Sequence, residues 1–433
     1  MSILIKNATA ITMCGDEVLR NACILTEGNT ISYIGVELPD VGKDTEIIDA
    51  CGAIVMPATV NMHTHLAMSY FRSYASDLPL AAWLERIFEI EDRLDEEAMY
   101  YGALLACAEA MEHGSACVND MYLNTYGTAQ ACLDSGIRAY IARSVVDVDG
   151  VAGLERRLNE CADIRKKYHN ADDGRIKVIQ SVHAEYTCSP EGMKRVFDEA
   201  RGINSPVHIH ISETVSEVSG CRERNNGKTP LAVLKEIGAL DGIKTYAAHC
   251  VNLNSEDIDI IQNYKVYPIH NPISNLKLGS GIAPIAELIA RGVKVCIGTD
   301  GNGSNNNIDM FREMFVASIL QKGVNKKPNC LSAYDVLKMA TLNGAEALGY
   351  NGGCLKQGAV ADIIVLKRSP YLEPMHDPMG MVVYSANGAD VDHTIVNGKI
   401  TVRNGECISI DKKKIFEKFA QICNRLFERE VIK

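Results

Sequence analysis

The sequence predicts a (β/α)8 barrel of the TIM type, carried beside a small β-sandwich made from the two chain ends. Three observations predict it. Short apolar runs recur at 54–62, 115–120, 137–144, 176–183, 206–212, 245–250, 265–270 and 293–299. Amphipathic helical patterns separate these runs, and β-like alternation with turn signals returns on either side of them. Strands alternating with helices over about 300 residues match a closed parallel barrel.

Taken in order, residues 1–55 form the first part of the sandwich. Turn signals stand at Gly15-Asp16, Glu27-Gly28-Asn29 and Cys51-Gly52, and 24–34 reads as a hairpin around Gly28-Asn29. Residues 56–355 form the barrel. Its first long helix, 95–113, has Asp95 as N-cap and Gly114 as its stop. Residues 356–433 complete the sandwich with runs at 362–366 and 392–400, the second turning at Asn397-Gly398. A terminal amphipathic helix over 411–428 places Ile415, Phe416, Phe419, Ile422, Cys423 and Leu426 on one face, which is expected to pack on the body.

Composition excludes several classes. The chain has 433 residues, 47% apolar and 23% charged, with a formal net charge of -11. That balance argues against nucleic acid or an anionic membrane as partner. No apolar run approaches the roughly 20 residues of a membrane span. The opening residues Met1-Ser2-Ile3-Leu4-Ile5-Lys6 read as a strand and not as a leader. The fifteen cysteines are scattered and never spaced C-x-x-C, as expected of free thiols in a reduced, cytoplasmic protein.

The chemistry lies in the histidines. Seven of eleven fall in or at the ends of the expected strands: His63, His65, His183, His208, His210, His249 and His270. In a barrel the C-terminal strand ends build the active site. His63 and His65 share one strand face, so both imidazoles can reach one metal ion. His208 lies one pleat deeper than His210 and is expected to be a hydrogen-bonded core histidine. His270 precedes the Asn271-Pro272 turn.

The motifs Asn61-Met62-His63-Thr64-His65, His210-Ile211-Ser212-Glu213, Ala248-His249-Cys250, Ser274-Asn275-Leu276-Lys277-Leu278-Gly279 and Gly298-Thr299-Asp300-Gly301 resemble the amidohydrolase superfamily. Within it, the chain resembles the 5′-methylthioadenosine/S-adenosylhomocysteine deaminases, a likeness that reaches into 77–84 and 90–94. The resemblance implies one zinc ion, with iron(II) as the other candidate, held by His63, His65, His210 and Asp300. Three imidazoles and one carboxylate suit that ion on chemical grounds as well. A bridging lysine for a second metal is missing at the end of strand four, where His183 stands.

The resemblance also implies roles. Asp300 would accept the proton of the attacking water, Glu213 would protonate the ring nitrogen, and His249 would stabilise the tetrahedral intermediate. Substrate would be held by Glu213, Asp300, His183, Glu91 and Arg143. A further arginine shortly after strand three would join them, Arg157 being preferred to Arg156. Trp83, the only tryptophan, either covers the site or anchors its segment. The implied activity is hydrolytic deamination of adenosine-type nucleosides (5′-methylthioadenosine, S-adenosylhomocysteine, adenosine) by a homo-oligomer. The alternatives are guanine, a pterin, cytosine or a triazine on the same metal site, or a catalytically silent barrel serving as a binding subunit.

Overall fold

A computed structural model describes residues 2–427. Met1, residue 428 of the expected terminal helix and the rest of the last segment lie outside the described residues. The N-terminal strands are β1 (Ser2–Ile11), β2 (Val18–Glu27), β3 (Thr30–Gly35), β4 (Glu46–Asp49) and β5 (Ile54–Pro57). Eight barrel strands follow: β6 (Thr59–Thr64), β7 (Ser115–Tyr122), β8 (Arg138–Arg143), β9 (Ile176–Ala184), β10 (Val207–Ile211), β11 (Thr245–His249), β12 (Val266–His270) and β13 (Cys296–Ile297). The chain closes with β14 (Ile363–Leu366), β15 (Val391–Val396), β16 (Lys399–Arg403) and β17 (Glu406–Cys407).

Strands β6 to β13 pair in chain order as one parallel sheet. The seam between first and last strand is closed by side chains as much as by backbone. Asp300 N–H donates to the His63 carbonyl at 2.9 Å. Asn61 accepts from Thr299 N–H at 3.0 Å and donates to Thr299 Oγ1 at 2.8 Å. Gly298 is required there, because a Cβ would stand 2.6 Å from the His63 nitrogen.

The chain ends form one mixed nine-stranded sheet, ordered β17-β16-β15-β14-β5-β1-β2-β3 with β4 on β1. Both expected hairpins are present, with Glu27 opposite Thr30 and Val396 opposite Lys399. Asn397 and Gly398 have φ of 51° and 75°, the left-handed pair that a tight two-residue turn needs. The apolar run 54–62 proves to be two strands. Ala58 donates to the Asp362 carbonyl and Thr59 to the Gly114 carbonyl, so the chain leaves the terminal sheet and enters the barrel at that point. Of 293–299, only Cys296–Ile297 pairs as a strand, which frees Gly298 to Asp300 to turn towards the site.

Helix Glu96–Glu112 starts on the Asp95 side chain, which accepts from Ala98 N–H at 2.8 Å. Helix Lys412–Phe427 buries Ile415, Ile422 and Leu426 and stacks Phe419 on Tyr70 at 4.3 Å, whereas Phe416 is 61% exposed. All fifteen cysteines are free. Among the described residues no helix is long and apolar enough to cross a membrane.

One buried ion pair joins barrel to terminal sheet. Arg138 Nε donates to Asp362 Oδ2 at 3.0 Å and Arg138 Nη2 to Asn397 Oδ1 at 3.0 Å. Removing the cation strands a buried carboxylate, so Arg138→Met should cost about 3–5 kcal/mol. Chemical denaturation checks this; a loss below about 1 kcal/mol would show that the pair carries little.

Candidate active site

The cluster sits where barrel strands end. His63 and His65 come from β6, His210 from β10, His249 from β11, and Asp300 from the turn after β13. Ser212, His249 and Asp300 take left-handed backbone angles, with φ of 52°, 74° and 66°. None is a glycine, and each such residue costs roughly 1–3 kcal/mol. The strain turns each strand end sharply at the point where a functional side chain must face the barrel axis.

Each imidazole is oriented by its Nδ1. His210 Nδ1 donates to the His183 carbonyl at 2.7 Å, His65 Nδ1 bonds the Met121 carbonyl, and His63 Nδ1 meets His208 Nε2 at 2.9 Å. Three Nε2 atoms are thereby turned to a common point. His65 Nε2 lies 3.4 Å from His210 Nε2 and 3.2 Å from Asp300 Oδ1; His63 Nε2 lies 3.4 Å from that same oxygen. Ligands about 2.0–2.1 Å from a tetrahedral ion stand about 3.3–3.4 Å apart, so the spacing fits zinc. The fully buried His63 Nε2 has no hydrogen-bond partner, as a ligand nitrogen requires.

The carboxylate and the imidazoles are electrostatically coupled. Burial works against a charged ring at His65, yet Asp300 outweighs it and pushes the ring up to about 9. Asp300 itself stays well below the usual carboxylate range despite its burial, because His63 and His65 hold it. Asp300 and the imidazoles thus stabilise opposite charges on one another.

Glu213 follows β10 and is buried. Its Oε1 accepts from Ser280 Oγ at 3.1 Å and its Oε2 lies 3.7 Å from His249 Nε2. Burial pushes the Glu213 carboxyl up. His249 Nδ1 bonds Asn275 Oδ1 at 2.9 Å, which directs Nε2 into the cavity. Asp300 Oδ2 accepts from Ser274 at 2.6 Å and Ser304 at 2.9 Å.

The cavity above is lined by His65, His183, His210, Glu213, His249 and Asp300 at its base. Glu91 and Trp83 line it too, from helix Leu80–Glu91. Tyr122 hydroxyl donates to Glu91 Oε1 at 2.5 Å. Trp83 is both cover and anchor: it lines the cavity and packs into a buried cluster with Met68, Phe71 and Ile87.

Two expected substrate contacts are not brought to the cavity. On β8, Tyr140 and Ala142 join the barrel-interior cluster, whereas Ala139 and Ile141 pack on the outer helices. Arg143 continues the outward set, its Nε on Glu160 at 2.8 Å. Arg157 is held by Asp149 and by the Val146 carbonyl. His208 is a buried partner of His63, and His270 stays outside the cluster with neither ring nitrogen hydrogen-bonded.

Sequence reasoning missed the support shell. Glu217 accepts from Ser212 N–H at 2.8 Å and Glu213 N–H at 2.6 Å, fixing the turn that aims Glu213. Its signal was a second glutamate one helical turn after Glu213. Ser274 and Asn275 belong to the Ser274–Gly279 motif, and the fold brings them to Asp300 and His249.

The chain has relatives along its whole length. Residues 54–401 match the model of the amidohydrolase family. A 5-methylthioadenosine/S-adenosylhomocysteine deaminase of Caldanaerobacter subterraneus subsp. tengcongensis is 38% identical, over 100% of both chains. A 5′-deoxyadenosine deaminase of Methanothermobacter thermautotrophicus is 42% identical over 94% of this chain and 96% of that protein. The crystal structure of an adenosine deaminase from Xanthomonas campestris with bound zinc superposes with a TM-score of 0.91 at 29% identity, covering 98% of each chain.

Proposed function

Because the chain belongs to the amidohydrolase family, we propose that it is a zinc-dependent aminohydrolase converting adenosine-type nucleosides to the inosine analogue and ammonia. The observation that carries this reading is a buried acid, Glu213, in one cavity with His65, His210 and Asp300, which cluster with the buried His63. Those four residues would hold the metal. When bound there, zinc supplies the Lewis acidity that lets water lose a proton near neutral pH.

The chain's own residues carry the protons. Asp300 takes the proton released as the water oxygen bonds to the amino-bearing ring carbon. Glu213 delivers its proton to the adjacent ring nitrogen, which makes that carbon electrophilic. His249, aimed by Asn275, stabilises the charge that develops on the new oxygen. Asp300 then passes its proton to the departing amine as the C–N bond breaks, and Glu213 recovers a proton from the new hydroxyl. Water and the nucleoside become the keto product and ammonia, with both carboxylates restored.

His183 and Glu91 are assigned to substrate, His183 to the purine edge or ribose and Glu91 to the ribose hydroxyls. The acid assignment fixes a pH dependence. Glu213 must be protonated to act, and burial raises its carboxyl, so kcat falls as pH rises through that raised value. A kcat profile flat to high pH would contradict the role. Absorbance at the adenine-to-hypoxanthine shift, over a panel of adenosine, 5′-methylthioadenosine, guanine and cytosine, tests the reading. Turnover of the adenosine types supports it, and turnover of guanine or cytosine alone overturns the nucleoside assignment.

A further inference from the structure

A second cavity, of about 740 Å³, opens at the end of the barrel opposite the histidine cluster. It is lined where strands begin. Arg138 opens β8, Lys177 stands second in β9, and Lys244 and Lys265 immediately precede β11 and β12. Arg165 and Arg201 join them from two outer helices, Gly150–Tyr168 and Pro190–Gly202. Against these six cations, Asp173 is the one carboxylate among the described lining residues.

Composition does not account for this excess, because the chain carries a formal net charge of -11. Ion pairs do not neutralise it either. Arg138 is bound to Asp362 and Arg201 to Asp198. Among the described residues, Arg165, Lys177, Lys244 and Lys265 have no carboxylate partner. Arg165 donates to the Val178 carbonyl at 2.6 Å, Lys177 to Asn170 Oδ1, and Lys244 to the Ala347 carbonyl at 2.9 Å. Glu346, the acid that acts on Lys244, is paired with Lys294.

Register enforces part of the crowding. Thr245 pairs with Val266 across parallel β11 and β12, so Lys244 and Lys265 stand side by side one residue earlier. Neighbouring strands lie about 4.8 Å apart, and like charges at matched positions cost stability. Burial first, then Arg138 and Arg165, hold the Lys177 ammonium below its usual value; burial and then Lys265 do the same at Lys244. An anion between these groups offsets both costs. The inner wall, from Tyr140, Ile179 and Tyr246, is uncharged and gives a flat organic group a surface to pack on.

We propose that this cavity binds a small molecule carrying two or more linked phosphate groups. Guanidinium and ammonium groups give phosphate oxygens charge-assisted hydrogen bonds. Small-molecule sites span roughly 300–1,000 Å³, so the space holds more than a single ion. The proposal stands independently of the deaminase reading.

The test is calorimetric titration of the zinc-loaded enzyme with inorganic pyrophosphate and, separately, with uridine 5′-triphosphate, whose base has no amino group to lose. Both should bind, and Lys177→Gln and Lys265→Glu should each weaken binding at least about tenfold, the loss expected when a hydrogen bond to a charged group is removed. Lys265 is exposed, so its reversal leaves the fold intact. The triphosphate binding more than about tenfold tighter than pyrophosphate would assign the site to a nucleotide; a smaller difference would assign it to the phosphate chain alone. Binding that the two variants leave unchanged would overturn the proposal and place the anion on the zinc. No binding of either ligand up to about 1 mM would overturn it outright.

Discussion

Glu213→Gln lowers kcat by at least about a hundredfold, the loss expected for a positioned general acid, while zinc content stays that of the wild type. The amide keeps the shape of the carboxyl and can still meet Ser280 Oγ, 3.1 Å from Oε1 in the native chain. It has no proton to deliver to a ring nitrogen. None of the proposed ligand atoms is touched, so metal analysis separates loss of the acid from loss of the site. The alkaline limb of the kcat profile disappears in the residual activity. A near-normal rate would remove Glu213 from the mechanism.

His210→Ala has the second large effect, through the metal. His210 Nε2 lies 3.4 Å from His65 Nε2 and its Nδ1 donates to the His183 carbonyl, which holds the ring with Nε2 towards the cluster. The variant should retain below about a tenth of wild-type zinc after dialysis, since three ligands remain of the four that a tetrahedral site needs. Activity should fall with it and recover only in excess zinc. Full occupancy would point to His208, the other imidazole on that face of β10. The structure argues against that, because His208 Nε2 is already engaged by His63 Nδ1 at 2.9 Å.

What could be read from the sequence was what periodicity and residue chemistry determine. Eight apolar runs and their helices give the barrel, and the H-x-H spacing with polar residues at strand ends gives the cluster. Less legible was anything that depends on where the chain changes partner. The run 54–62 is continuous in composition, yet it serves two sheets because Ala58 and Thr59 bond to different neighbours. Arg143 stands at the end of its strand with its side chain on Glu160, on the face opposite Tyr140 and Ala142. Glu217 was hidden for another reason. It acts on two backbone N–H groups exposed by the left-handed turn at Ser212, and nothing in a serine announces that turn.

Metal-dependent deamination at this cluster can be tested directly. The most direct measurement follows ammonia release and loss of adenine absorbance from 5′-deoxyadenosine, with wild-type enzyme stripped by a chelator and then reloaded with zinc. The stripped enzyme should show no turnover, with recovery at one zinc per chain and one ammonia released per nucleoside consumed. Equal turnover by stripped and reloaded enzyme, or absorbance loss without ammonia, would contradict it.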